Sequence, residues 1–307
     1  MAYPRSRRAS ALVLDRGMGP LFVTPALLLL VVIVVGPFLY TIALSFTDLS
    51  YALPDHDGHF VGFDNYRRLV REDPVFWGSF KATLRFVFVA VGIEMILGFL
   101  IALVLANQLV RRRFVLTLVL VPMMIAPVAV GLIGKLMLQG EFGMLTYYLR
   151  WFGIMGEQTA MLSDPDLAMR AVVLIDIWQW TPFVTLVMLA GMLSLPREPF
   201  EAAIMDGAGR LRILWDMTLP LLRPIIGLVL LLRSIDAFKE FDKVFILTGG
   251  GPGTATELLS IYTWRVNFRD WDLGYGAVCA FMVYLIVLIL CSVFYKVISR
   301  RDRMADR

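Results

Sequence analysis

Five ionisable residues stand inside long apolar runs of this chain: Glu94, Lys135, Asp176, Arg233 and Asp236. A charge among apolar neighbours is costly to keep, so each is a functional candidate by default. Arg233 and Asp236 are i, i+3 neighbours, spaced to pair on one helix face. Asp176, Gln179, Trp180 and Phe183 follow at i, i+3, i+4 and i+7 and also share a face. A carboxylate and an amide suit hydroxyl groups, and aromatic rings suit C–H patches. This face therefore has the chemistry to line a cavity for a polyhydroxylated solute. The competing role is structural, with ion pairs inside the bundle and Trp178 and Trp180 as interface anchors. Glu94 lies nearer the middle of its run, where a buried hydrogen-bonded role and a solute contact both stand open.

Other tempting groups carry less. Gly249-Gly250-Gly251-Pro252-Gly253-Thr254 resembles a phosphate loop, but a Walker loop needs Lys after its last glycine, and Thr254 follows Gly253 directly. His56 and His59 stand with Asp55 and Asp57 in a polar stretch that reads as a solvated loop rather than a metal site. Cys279 and Cys291 share one apolar run. On a helix they lie about 18 Å apart at ~1.5 Å per residue, beyond the ~7 Å that a disulfide allows between Cα atoms. They read as two inert thiols. No catalytic residue, metal or cofactor is expected on this chain. An intramembrane metalloprotease would need paired His and Glu on a helix, and no His occurs in any apolar run.

The elements that must position these residues follow from composition. Of 307 residues, 59% are apolar and 18% charged, and mean hydropathy is +0.74. Soluble domains run nearer ~45–50% apolar and ~25% charged. The chain is therefore an integral membrane protein. Its net charge of +4 lacks the basic stripe and reading module that nucleic acid requires. A spanning helix takes roughly 20 mostly apolar residues. Six segments qualify, at about 21–46, 83–106, 114–138, 171–193, 219–238 and 274–298. They form a single domain over 21–298, between tails at 1–20 and 299–307. The first run is too long for the h-region of a cleaved leader, about 7–15 residues, and reads as an uncleaved anchor. Pro37, Pro122, Pro127, Pro182 and Pro224 fall within spans, and each tends to kink its helix. With the N-terminus inside, the inner segments hold 15 Lys/Arg and the much longer outer ones 10. Arg111-Arg112-Arg113 is the densest inner run. The positive-inside rule then places both termini in the cytoplasm.

The longest inner loop spans 195–220. Pro199 suits the first turn of a helix, Glu201, Ala202 and Ala203 favour its continuation, and Gly207 ends it. Phe200, Ala203 and Ile204 share one face. A helix lying on lipid would carry many basic residues, yet after Arg197 none appears until Arg210. A docking knob for a cytoplasmic protein fits this helix–Gly–helix element better.

The string EAAIMDGAGRLRILWDMTLPLLRP, Glu201 to Pro224, resembles the EAA motif of binding-protein-dependent ABC importer permeases. Glu201, Ala202, Ala203, Asp206, Gly207, Ala208, Leu219, Pro220 and Pro224 match that pattern. Leu214 departs from it, standing where the family often has Phe. FVGFDNYRRL (Phe60–Leu69), IWQWTPFVTLVMLAGMLSLP (Ile177–Pro196), AFKEFDKVFILTGGGPGTATELLSIYTW (Ala237–Trp264) and LGYGAVCAF (Leu273–Phe281) resemble the sugar-type branch, the maltose/trehalose/glycerol-phosphate-like permeases.

The resemblance implies an all-α integral membrane protein, with six transmembrane helices of the type I ABC importer permease fold and a cytoplasmic coupling helix. It implies a heterodimer with a second homologous permease, a dimer of cytoplasmic ATPases that bind ATP and Mg, and an external solute-binding protein. Glu201, Ala202, Ala203, Asp206, Gly207, Leu219 and Pro220 would couple the bundle to the ATPases, with Glu201 the foremost polar contact. The cargo would be a sugar or related polyol, moved by alternating access across a bacterial or archaeal cytoplasmic membrane. The polyol phosphates are the alternative cargo; Arg233 suits a phosphate or an intramolecular carboxylate equally well. A channel or an intramembrane enzyme is the more distant alternative.

Overall fold

The structure, a computed structural model, describes residues 23–55, 57–106, 112–156 and 159–305. The tail 1–20, His56 and Arg111 of the sequence reading lie outside them. The described residues are almost wholly helical, with two isolated bridges, Thr47↔Phe60 and Ser50↔Asp272, as their β-type pairing. By packing they fall into two compact units, where the sequence reading takes one domain. One unit holds residues to Val70 together with Val266–Phe281, and the other holds Arg71–Arg265 and the chain from Met282.

The first unit contains helix α1, Val23–Leu44, which buries none of its residues. It also contains most of the short helix α2, Asp64–Arg71. The chain leaving α1 is tied back by Asn65, whose amide donates to the Ser45 carbonyl at 3.2 Å and to the Thr47 carbonyl at 2.7 Å. The Ser45 carbonyl is an orphan acceptor at the helix end, and Thr47 stands in the turn beyond it. Arg68 pairs with Asp272 at 2.9 Å and stacks over the Tyr275 ring at 4.1 Å.

The second unit is built on three long helices: α3, Pro74–Ala106, α7, Pro165–Ser194, and α9, Arg210–Phe238. Along α3 the buried residues Thr83, Phe86, Val87, Ala90, Glu94, Gly98, Ala102 and Leu105 recur at three- and four-residue steps and form one inward stripe. Ala102 and Leu105 meet Val184, Met188 and Leu189 of α7 and Val229 of α9 in an apolar core. Gly98 sets the spacing there. A Cβ at Gly98 would lie 2.6 Å from the Val184 side chain, so only glycine lets α3 and α7 approach this closely. The start of α7 is capped by Asp164, whose carboxylate accepts from the Asp166 and Leu167 amides at 3.0 and 2.9 Å. Pro182 and Pro224 lie within continuous helices.

One span is expected over 114–138. The structure breaks that segment into α4, Arg112–Leu120, a 3-10 turn at Pro122–Met124, and α5, Pro127–Met137. The physical reason is the pair Pro122 and Pro127. Ala126 precedes a proline and is pushed out of the helical region, to φ −58 and ψ 137. Ile125 is extended beside it, at φ −83 and ψ 133. Five described helices are therefore long and apolar enough to cross a membrane, and α5 is a shorter apolar helix. The other helices also differ from their sequence bounds: α3 begins at Pro74 rather than 83, α7 at Pro165 rather than 171, and α9 at Arg210 rather than 219.

The remaining helices are α6, Met144–Trp151, α8, Glu198–Met205, α10, Asp242–Leu247, α11, Leu259–Trp264, and α12, Leu273–Ala305. Cys279 and Cys291, both on α12, are free thiols.

Candidate functional site

The intramembrane charges converge. Arg233 on α9 is 1% exposed and meets Glu94 on α3, which is fully buried. Its Nε donates to Glu94 Oε2 at 2.8 Å and its Nη2 to Oε1 at 3.1 Å, a two-pronged pairing that suits a planar guanidinium. The same Nη2 donates to Asp176 Oδ2 of α7 at 3.1 Å. Lys243 on α10 donates its ammonium to Asp176 Oδ1 and pairs with Glu240 at 3.0 Å. Three carboxylates thus enclose two cations, and the chain of contacts fastens α3, α7, α9 and α10 to one another.

Burial pushes the Glu240 carboxyl above its ordinary value, against the opposing pull of the Lys243 ammonium. At the membrane-embedded members, the removal of water strengthens each contact and raises the cost of any unpaired partner.

Trp180 adjoins this network. The Arg233 guanidinium lies 4.8 Å from its ring centroid and the Lys243 ammonium 5.8 Å, both within cation–π reach. Trp180 Nε1, Gln179 Oε1 and Thr181 Oγ1 are buried without a hydrogen-bond partner among the described residues. Gln179 uses its amide to donate to the Ile125 carbonyl at 3.0 Å, which satisfies an acceptor exposed by the break between α4 and α5. Phe183 meets Trp180 edge to face at 6.3 Å and packs on the apolar core.

The expected pairing of Arg233 with Asp236 does not form. Arg233 turns inward to two carboxylates, while Asp236 is half exposed and lies 3.5 Å from Lys239. The buried carboxylates offer Arg233 a geometry that a neighbour on its own helix cannot match. Lys135 is exposed in the last turn of α5 and stands apart from the network. Lys243 and Glu240 were missed, because both fall in a segment read as outer loop. The signal that points to them is charge balance: Glu94 and Asp176 outnumber Arg233, which calls for a second buried cation.

The inner loop is shorter than its sequence bounds, because α9 already begins at Arg210 and takes in Leu219 and Pro220. What remains is α8 and a turn. Gly207 has φ +76; its amide donates to the Ile204 carbonyl at 3.0 Å, and the Ala208 amide donates to the Ala203 carbonyl at 2.9 Å. These two bonds and the left-handed glycine make a Schellman cap. No residue of α8 is buried. Glu201, Ala202 and Asp206 are exposed and Ala203 half-buried. Ile204 is 61% and Met205 87% exposed, so α8 presents apolar side chains that the described residues leave uncovered.

The glycine-rich loop closes on itself. Thr256 Oγ1 donates to the Gly251 carbonyl and lies 2.7 Å from Thr248 Oγ1. The amides of Gly249 and Gly251 are used on Phe245 and Thr248 carbonyls. His59 Nδ1 lies 3.9 Å from Asp48 Oδ2.

Comparison with known proteins places this geometry. The family model described as binding-protein-dependent transport system inner membrane component matches residues 79–303. The trehalose/maltose transport system permease protein MalF of Thermococcus litoralis is 34% identical over 281 residues, covering 91% of this chain and 93% of that one. The sulfoquinovosyl glycerol transport system permease protein SmoG of Agrobacterium fabrum is 33% identical over 291 residues, covering 94% and 92%. Among solved structures, a chain of a bacterial ABC transporter involved in import of the acidic polysaccharide alginate superposes with a TM-score of 0.81. It has 20% identity and covers 95% of this chain and 99% of that one, a likeness of fold.

Proposed function

The chain belongs to the binding-protein-dependent transport system inner membrane components, and from that premise we propose that it forms half of a translocation pathway for a neutral sugar or related polyol. It is a permease subunit of an importer, embedded in the inner membrane. The second half is a homologous permease, and a dimer of cytoplasmic ATPases holds ATP and Mg and performs the hydrolysis. A solute-binding protein delivers the cargo on the outer side, and both termini face the cytoplasm. The bundle alternates its opening as the ATPases move α8.

The observation that carries this reading is the inner element itself. It is a capped helix with exposed Ile204 and Met205, joined closely to two long helices, α7 and α9. Glu201, Ala202, Ala203, Asp206 and Gly207 form its contact surface, and Leu219 and Pro220 tie it to the bundle. A rigid knob so joined transmits displacement to both helices.

Two observations bear on cargo. Relatives at about one-third identity are named for trehalose/maltose and sulfoquinovosyl glycerol transport, which points to the carbohydrate class. Around Trp180, Arg233 and Lys243 each already hold two carboxylates. An anionic cargo would have to strip a buried carboxylate of its partner, so a neutral solute is favoured over a polyol phosphate. Gln179, Trp180 and Phe183 supply its hydrogen-bonding and stacking groups, with Asp176, Glu94 and Arg233 holding them in place and Asp236 at the margin.

Reconstitution of the complex in proteoliposomes tests the proposal. Uptake of a labelled neutral sugar requires the ATPase, the second permease and the binding protein together. Uptake that persists without ATP or the ATPase refutes it.

A further inference from the structure

The segment that follows α1 gathers aromatic side chains at the helix end. Phe46, two residues past α1, is the centre of an aromatic group. Phe60 stacks near it at 6.4 Å, and Phe63 and Tyr66 lie at 5.3 and 5.5 Å. Their level is held by the backbone, because Thr47 bridges to Phe60 and the Val61 amide donates to the Phe46 carbonyl at 2.8 Å. Neighbouring strands lie only ~4.8 Å apart, so Phe60 stands level with the end of the spanning helix.

These rings are largely uncovered: Phe60 is 79% and Phe63 72% exposed. Phe63 leads into α2, its carbonyl accepting from the Arg67 amide at 3.0 Å; Phe63 and, on α2, Arg67 and Val70 follow at i, i+4 and i+7, which puts them on one side, and all three are exposed while Leu69 is buried. The loop between carries exposed Tyr51 and Leu53, and beyond them Asp55 and Asp57 are exposed. Aromatic rings mixed with a basic residue at a span's end, and acids beyond, is the order of side chains from acyl boundary to water.

We propose that the face formed by Phe63 and by Arg67 and Val70 of α2, together with Phe60, lies in the lipid headgroup layer and fixes the depth of α1. The rings occupy the boundary with the acyl chains, and the Arg67 guanidinium reaches a headgroup phosphate. Lipid is the occupant because the patch is continuous with α1, which buries nothing within this chain. A water-soluble partner meets the polar tip first. That the layer is the outer one rests on the orientation proposed above, but the depth does not.

Spin labels test this in the assembled complex, in nanodiscs of phosphatidylethanolamine and phosphatidylglycerol. Labels are placed by Phe63→Cys, Phe60→Cys and Asp57→Cys in a Cys291→Ala background, Cys279 being fully buried. The expected result is a ratio of oxygen to nickel-chelate accessibility several-fold higher at positions 60 and 63 than at 57. Position 60 keeps the test decisive if the variant at 63 does not assemble. Equal ratios at all three sites would mean a solvated patch and overturn the proposal. Exclusion of both reagents at 60 and 63 would mean cover by the second permease or the binding protein, and would also overturn it.

Discussion

Arg233 is the residue whose loss exposes most. Its replacement by Met leaves Glu94 buried without a partner, a situation that costs about 3–5 kcal/mol. The expected outcome for Arg233→Met is a large fall in the unfolding midpoint of the purified complex. Arg233→Met combined with Glu94→Met should recover much of it, since removing both partners of a buried pair is far cheaper than removing one. Trp180 makes the opposite case. It contributes ring face and an unpaired Nε1 rather than a charge, so Trp180→Ala is expected to lower uptake several-fold while assembly persists. Uptake kinetics and co-purification of the partner subunits read the two effects separately. Asp176 belongs with Arg233 rather than with Trp180, because its removal strips both Arg233 and Lys243.

Among the elements, the capped helix α8 is the most demanding of its sequence. Gly207 at φ +76 sits in the region where a β-branched residue is strained, at roughly 1–2 kcal/mol or more. Gly207→Val is expected to open the Schellman cap, swing α8 and reduce the ATPase that co-purifies. Gly207→Asn, which tolerates this conformation, should retain most of it. A Val variant with native ATPase content and native uptake would show that the cap has no part in coupling. The broken third segment is an element of the other kind. Its helix is interrupted by two prolines, and its stray carbonyl at Ile125 is satisfied from α7, by Gln179.

For the whole molecule, the testable quantity is orientation. Tags at the two ends should resist protease in intact spheroplasts and be cut once the membrane is opened. A protease-sensitive C-terminus in sealed cells would reverse the assignment of α8 to the cytoplasmic side.

The apolar runs, their charged punctuation and the Glu201–Pro224 string were legible in the sequence because each is a local property. Length against bilayer thickness, charge density and glycine's backbone freedom act within a few residues or a single helix. The helix–Gly–helix element was legible for the same reason. The partners of the buried charges were not. Glu94 and Asp176 lie tens of residues from each other and from Arg233 and Lys243 in the chain, and only the packing of α3, α7, α9 and α10 brings them within hydrogen-bonding distance. Sequence spacing offered Arg233 the nearby Asp236; tertiary structure turned it to Glu94 and Asp176, where exclusion of water makes a charged pair far stronger than at an exposed helix surface.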